Sequence, residues 1–168
     1  MKITKNWVFP LIAVLCFGLF APGETIQATG SPLNCPVSHK SCEFYHCANA
    51  EQPCGKKGYW QDFGIPYCEL FVKDEHKFSA DSQTWLQEVR LCLQERLRET
   101  VDGLRCSEIK PKAIHDHVSC YVDTGFCHLT FPEQLKIMWY LKGALRDFNT
   151  WREAGLLHRA CQIPYLPQ

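Results

Sequence analysis

No stretch of this sequence supplies the roughly 20 consecutive apolar residues that a membrane-spanning helix needs. The candidate that comes nearest, Trp7 to Phe20, is short and is broken by Pro10. Charge of one sign is missing too. Eighteen Lys and Arg balance eighteen Asp and Glu, so no basic field is offered to nucleic acid or to an anionic membrane. Strand signals are weak throughout, and there is no internal repeat and no low-complexity tract. Downstream of residue 23 no asparagine forms an Asn-x-Ser/Thr acceptor, which excludes N-glycosylation there.

The start of the chain reads as a secretory signal. Lys2 and Lys5 precede the apolar run, and Ala21-Pro22-Gly23 supplies small residues for cleavage after Gly23, with Ala28 as a second candidate site. Removing residues 1–23 takes away two lysines and leaves a net charge of about −2. Residues 24–34 are polar, small and aperiodic, a loose leader, and residues 35–168 form the folded domain. Of eleven cysteines, Cys16 leaves with the signal and ten remain. An even count in an exported chain points to a disulfide framework with no free thiol, each bridge contributing about 2–4 kcal/mol. Spacing alone does not say which cysteine pairs with which.

The fold class is all-α: a small disulfide-rich helical domain with a cysteine-dense, loop-rich N-terminal segment. Residues 35–68 hold five cysteines among Pro36, Pro53, Gly55, Gly58, Gly64 and Pro66, with room for one short helix near Cys42 to Cys47. From Ser79 or Asp81, either of which can cap a helix, Trp85, Val89, Cys92, Leu93, Leu97, Val101 and Leu104 recur at steps of three and four. Gln87, Glu88, Arg90, Glu95, Arg98 and Glu99 take the remaining, solvated face, and Gly103 lies near the end. A second helix runs from Lys112 to Asp123 on Ile114, Val118, Tyr121 and Val122, and Gly125 suits a positive-φ stop. Thr130-Phe131-Pro132-Glu133 and Thr150-Trp151-Arg152-Glu153 read as capping boxes opening two further helices. Leu135, Met138, Trp139, the Lys142 stem and Leu145 carry the first of these, and the second runs toward Cys161.

One stretch, His115-Asp116-His117-Val118-Ser119-Cys120-Tyr121, raises the question of chemistry. A secreted phospholipase A2 uses a His to activate water and a neighbouring Asp to hold calcium. Here three residues separate His-Asp from Cys-Tyr instead of one, and no glycine-rich calcium loop exists; Gly55 and Gly58 flank two lysines. His115 and His117, two apart on a helix, point about 200° from each other and do not share an ion, so both read as surface histidines. Gly55-Lys56-Lys57 resembles a prohormone cleavage and amidation signal, but its place between Cys54 and Cys68 favours an exposed turn. A nucleophilic cysteine is poorly supported where each thiol can have a partner. No catalytic, cofactor-binding or metal residue is assigned.

The cysteine spacing carries more. Six residues separate Cys35 from Cys42, four Cys42 from Cys47, six Cys47 from Cys54 and thirteen Cys54 from Cys68. Phe71 and Phe78 follow, then Cys92-Leu93, Cys106, Cys120-Tyr121 and Cys127; thirteen residues stand between Phe78 and Cys92, between Cys92 and Cys106 and between Cys106 and Cys120, and 33 between Cys127 and the closing Cys161. This framework resembles the stanniocalcins, secreted glycoprotein hormones. The resemblance is densest from Cys68 to Cys127 and spans roughly Cys35 to Cys161. It departs from the family in lacking a sequon between the third and fourth cysteines, where Asn49 stands, and in a longer Cys54–Cys68 interval.

The resemblance implies the pairs Cys35–Cys47, Cys42–Cys68, Cys54–Cys106, Cys92–Cys120 and Cys127–Cys161. It also implies a secreted, extracellular, hormone-like or protein-binding factor, linked to calcium and phosphate balance or to inhibition of a secreted metalloprotease, with a receptor or protease as partner. The alternatives are a phospholipase-type enzyme or a secreted scaffold of unrelated role. With Cys161 paired in this way no thiol is left for a covalent dimer, so the expected state is a monomer or a non-covalent dimer. Trp139, Tyr140, Trp151 and the tail Ile163-Pro164-Tyr165-Leu166 are read first as core.

Overall fold

Among the described residues, five disulfides tie six helices into one all-α body, and the pairs are Cys35–Cys47, Cys42–Cys68, Cys54–Cys106, Cys92–Cys120 and Cys127–Cys161. The computed structural model describes residues 33–143 and 148–162. The signal at 1–23, most of the leader, Leu145 and the 163–166 tail lie outside them. Leu33, at the end of the expected loose leader, is instead buried in the core.

Helix α1 spans Glu43–Glu51, α2 Ile65–Asp74, α3 Ala80–Thr100, α4 Cys106–Asp123, α5 Phe131–Tyr140 and α6 Phe148–Gln162. More of the cysteine-dense segment is helical than its prolines and glycines suggest. A π-helical turn at Trp60–Gly64 runs directly into α2, whose Pro66 sits in the first turn, where a missing N–H costs nothing. Gly64 is needed at that junction, because a Cβ there would lie 2.8 Å from Cδ1 of Tyr45.

Ser79 caps α3, its Oγ accepting from the Ser82 N–H at 3.3 Å. Helix α4 begins at Cys106, six residues before the expected Lys112. Glu108 reaches back to the Arg105 N–H at 2.8 Å and holds the first turn, and Pro111 then costs the helix interior one hydrogen bond without ending it. Gly125 follows α4 at φ +98°, the left-handed stop its sequence context predicts. Thr130 stands at the N-cap of α5 but its side chain makes no capping bond, and Thr150 lies inside α6, whose first residue is Phe148. Neither capping box forms as expected: Pro132 alone marks the start of α5.

Two clusters make the core. The first gathers Phe44, Ala48, Tyr59, Trp60, Leu97 and Ile109 where α1, the π turn, α3 and α4 meet. The second gathers Trp85, Val89, Cys120, Phe126, Ile137 and Leu157 where α3 to α6 meet. Helix α4 packs on α3 and on α6 and so joins the two.

Besides Ser82, two long polar residues of α3 lie inside. Arg90, expected on the solvated face, is buried, pairs with Glu75 at 2.7 Å and donates to the His39 carbonyl. Gln94 is fully buried; its Oε1 accepts from the Ser38 N–H at 2.8 Å and its amide donates to the Ser38 and Ser41 carbonyls. Both clamp the irregular 38–41 segment to α3, so its backbone groups are satisfied without regular structure.

Candidate functional site

His115, Asp116 and His117 follow one another on α4 and point to three different places. His115 is exposed, with Nδ1 4.0 Å from Oε1 of Glu153 on α6. Asp116 faces Lys112, whose Nζ lies 2.5 Å from both carboxylate oxygens, and Thr100 Oγ1 on α3 lies 3.4 Å away. Its charge is therefore matched one helical turn back. His117 corrects the surface reading: its ring packs 6.0 Å from the Phe63 ring and 5.7 Å from that of Tyr121, and Nδ1 donates to the Ala113 carbonyl. Burial holds its imidazole below the ordinary histidine range. A water-activating histidine and a calcium-holding aspartate must converge on one substrate, and these side chains diverge.

Below His117 lies an aromatic cavity of about 60 Å³, with Tyr45, Tyr59, Tyr121 and Arg90 in its walls. Burial pushes the three phenols up, so they stay neutral hydroxyls at any physiological pH. Tyr59 Oη is buried with no hydrogen-bond partner among the described residues. A second cavity of about 50 Å³ shares Phe63, His117, Tyr121 and Leu141 with the first and reaches α6 at Glu153 and Leu157. Spaces of this size admit one or two water-sized groups, well short of the few hundred Å³ that hold a substrate.

Metal-ligating side chains do not cluster usefully either. Among the described residues one group has suitable distances, Cys35, Cys47 and Glu51, and its two sulfurs are bonded to each other, leaving no thiolate. Gly55 has φ +72° and opens an exposed turn at Lys56-Lys57 that closes with Gly58 N–H donating to the Gly55 carbonyl at 2.9 Å, the reading that sequence context favours over a processing signal.

The surface offers a more distinct feature. Trp139 and Trp151, first read as core, are 66% and 61% exposed. Leu135, expected on the inner side of α5, is 53% exposed, and Phe131 is 69% exposed. Phe131, Leu135 and Trp139 follow at steps of four and form one outward stripe, because Ile137 and Leu141 take the core face instead. Lys142 continues the stripe, its Nζ 4.0 Å from the centre of the Trp139 ring. Tyr140 does turn inward, stacking on Phe71 and donating to Asp74 at 3.0 Å. The spacing of apolar residues alone could not separate the two faces, since Phe131, Leu135 and Trp139 keep helical period as well as Ile137 and Leu141 do.

Compared with protein-family models, curated proteins and solved structures, this chain finds no match.

Proposed function

We propose that this chain is an extracellular, hormone-like or protein-binding factor of stanniocalcin type that acts by engaging a protein partner and not by catalysis. One observation carries this reading: the five disulfides join the same cysteines that the stanniocalcin resemblance implies. Ten cysteines allow a great many pairings, so agreement in all five is specific. Five bridges and the absence of any helix long and apolar enough to cross a membrane among the described residues fit an oxidising, extracellular setting. The divergence of His115 and Asp116 weighs against the phospholipase alternative. A role in calcium or phosphate balance, or in restraining a secreted metalloprotease, is the finer content of the same proposal.

The test is binding of the labelled, oxidised protein to cell surfaces and to purified extracellular metalloproteases. Saturable binding that is destroyed by protease treatment of the cells, or stoichiometric inhibition of a protease, is the expected result. Calcium-dependent phospholipid hydrolysis that disappears in His115→Ala and Asp116→Asn would replace this reading with the enzymatic one.

A further inference from the structure

Helices α4 and α6 meet across the cavity of about 50 Å³, and among its lining residues only His117, Tyr121 and Glu153 bring polar side chains to it. The rest of the wall is apolar, Ile114, Leu141 and Leu157 included. Glu153 is buried on the α6 side. Its Oε1 lies 3.0 Å from Arg152, while Oε2 is buried with no hydrogen-bond partner among the described residues. A buried carboxylate oxygen left open in this way favours any donor that arrives.

His117 stands on the facing helix. The Ala113 carbonyl can only accept, so the neutral ring carries its proton on Nδ1 and leaves Nε2 as a bare acceptor. Nε2 has no hydrogen-bond partner among the described residues. A proton taken up there makes it a second donor and sets a positive charge against aromatic and aliphatic walls. The charged and titratable neighbours offer little relief. Tyr45 of α1, Tyr59 ahead of the π turn and Tyr121 present neutral hydroxyls, and Tyr67 of α2 adds a further phenol. Arg90 of α3 reaches the adjoining cavity with its charge matched by Glu75. On α4 itself Asp116 is held by Lys112, His115 is exposed, and Lys110 lies 5.6 Å from the centre of the Phe63 ring. The α5 side contributes only Met138 and Leu141. Glu153 is thus the carboxylate that shares the cavity with His117.

We propose that the cavity between α4 and α6 is an acid-operated joint: a proton on His117 Nε2 opens α6 from α4, the Cys127–Cys161 bridge acts as the hinge, and Glu153 limits the opening by answering the new charge. Opening returns the ring to water, where it binds the proton more readily than in the closed form, in which burial holds it below the ordinary histidine range. A lowered histidine contributes stability that is complete above its ordinary value of 6.5 and is lost as pH falls below it. The joint is therefore shut at neutral pH and loosens toward about pH 5. This goes beyond the proposed protein-binding function and does not rest on it.

The test is hydrogen exchange of the oxidised protein at about pH 7.5 and about pH 5, a window centred on histidine and above the titration of Glu108. Peptides from α6 and, as reference, from α1 are read by mass spectrometry after quenching and reduction, with the intrinsic pH dependence of exchange removed. Protection of α6 should fall about tenfold toward the acid side, the factor that one pH unit between the proton affinities of open and closed forms supplies, while α1 keeps its protection. His117→Phe keeps a ring and removes the proton site, so its α6 should be equally protected at both values. Glu153→Gln removes the answering charge, so its fall should exceed that of the parent. Each variant is judged by the ratio of its own two protections, which sets aside any change in basal stability. Without any variant, the His117 ring protons followed by nuclear magnetic resonance should titrate below 6.5, together with amides of α6. Equal protection of α6 at both values in the parent, an undiminished fall in His117→Phe, a fall shared equally by α1, or titration of His117 at 6.5 or above overturns the proposal. An unchanged fall in Glu153→Gln overturns the part assigned to that carboxylate.

Discussion

Arg90 on α3 lies 2.7 Å from the Glu75 carboxylate, on a helix face that is otherwise core, and it reaches past that carboxylate to the backbone of His39. One buried cation thus fastens three pieces of chain: the irregular 38–41 segment, the turn after α2, and α3. Glu75 is held further by the Gln87 amide at 2.7 Å.

Arg90→Leu should destabilise the protein by about 3 kcal/mol, because it strands a mostly buried carboxylate and an unpaired carbonyl. Arg90→Leu combined with Glu75→Gln should recover part of that loss. Denaturant titration of the single and double variants checks both statements; a single variant as stable as the parent would mean the pair is solvated in the native state.

Gly64→Ala tests the junction of the π turn with α2. The added methyl would meet the Tyr45 ring at 2.8 Å inside the first core cluster, where neither partner is free to withdraw. A loss of about 1–3 kcal/mol in thermal or chemical unfolding is expected. Gly103→Ala, with φ +71° but open space around it, should cost less, through backbone strain alone.

Acid sensitivity should begin at the start of α4. Its bond from the Arg105 guanidinium, then that from the Arg105 backbone N–H, lowers Glu108 from 4.5 to about 2. A lowered carboxylate contributes stability that is complete above its unfolded value and is lost as pH falls through its folded value. The contribution of Glu108 should therefore be full above about pH 4.5 and decline between there and about pH 2. The stability-versus-pH curve of Glu108→Gln should lack that segment. Overlapping curves for variant and parent would show the contact is absent in solution.

Much of this fold is legible in the sequence where a local device sets it. Ser79 caps α3, Gly125 stops α4 with positive φ, and the apolar period from Trp85 to Val101 fixes the buried face of α3. What was illegible depends on distant chain. Arg90 and Gln94 look like solvated polar residues until His39, Ser38 and Ser41, more than fifty residues earlier, supply their partners. Gly64 and Pro66 read as loop formers, although proline in a first turn and glycine against a ring serve a helix equally well. Helix α4 starts at Cys106 and not at the expected Lys112, because the Glu108 cap sets its first turn and the Cys54–Cys106 bridge to distant chain anchors its first residue. In α5 two stripes share one period, and only packing of Ile137 against α3 and α4 residues decides that Trp139 faces out.

The most direct measurement is disulfide mapping. The unreduced protein is digested at acidic pH, where exchange is suppressed, and the linked peptides are identified by mass spectrometry. Five linkages are predicted: Cys35–Cys47, Cys42–Cys68, Cys54–Cys106, Cys92–Cys120 and Cys127–Cys161, with none of these ten thiols free to alkylate and no reductant-sensitive dimer. A linkage between any other two of these cysteines, or an alkylated thiol among them, would contradict the framework and with it the stanniocalcin-type reading.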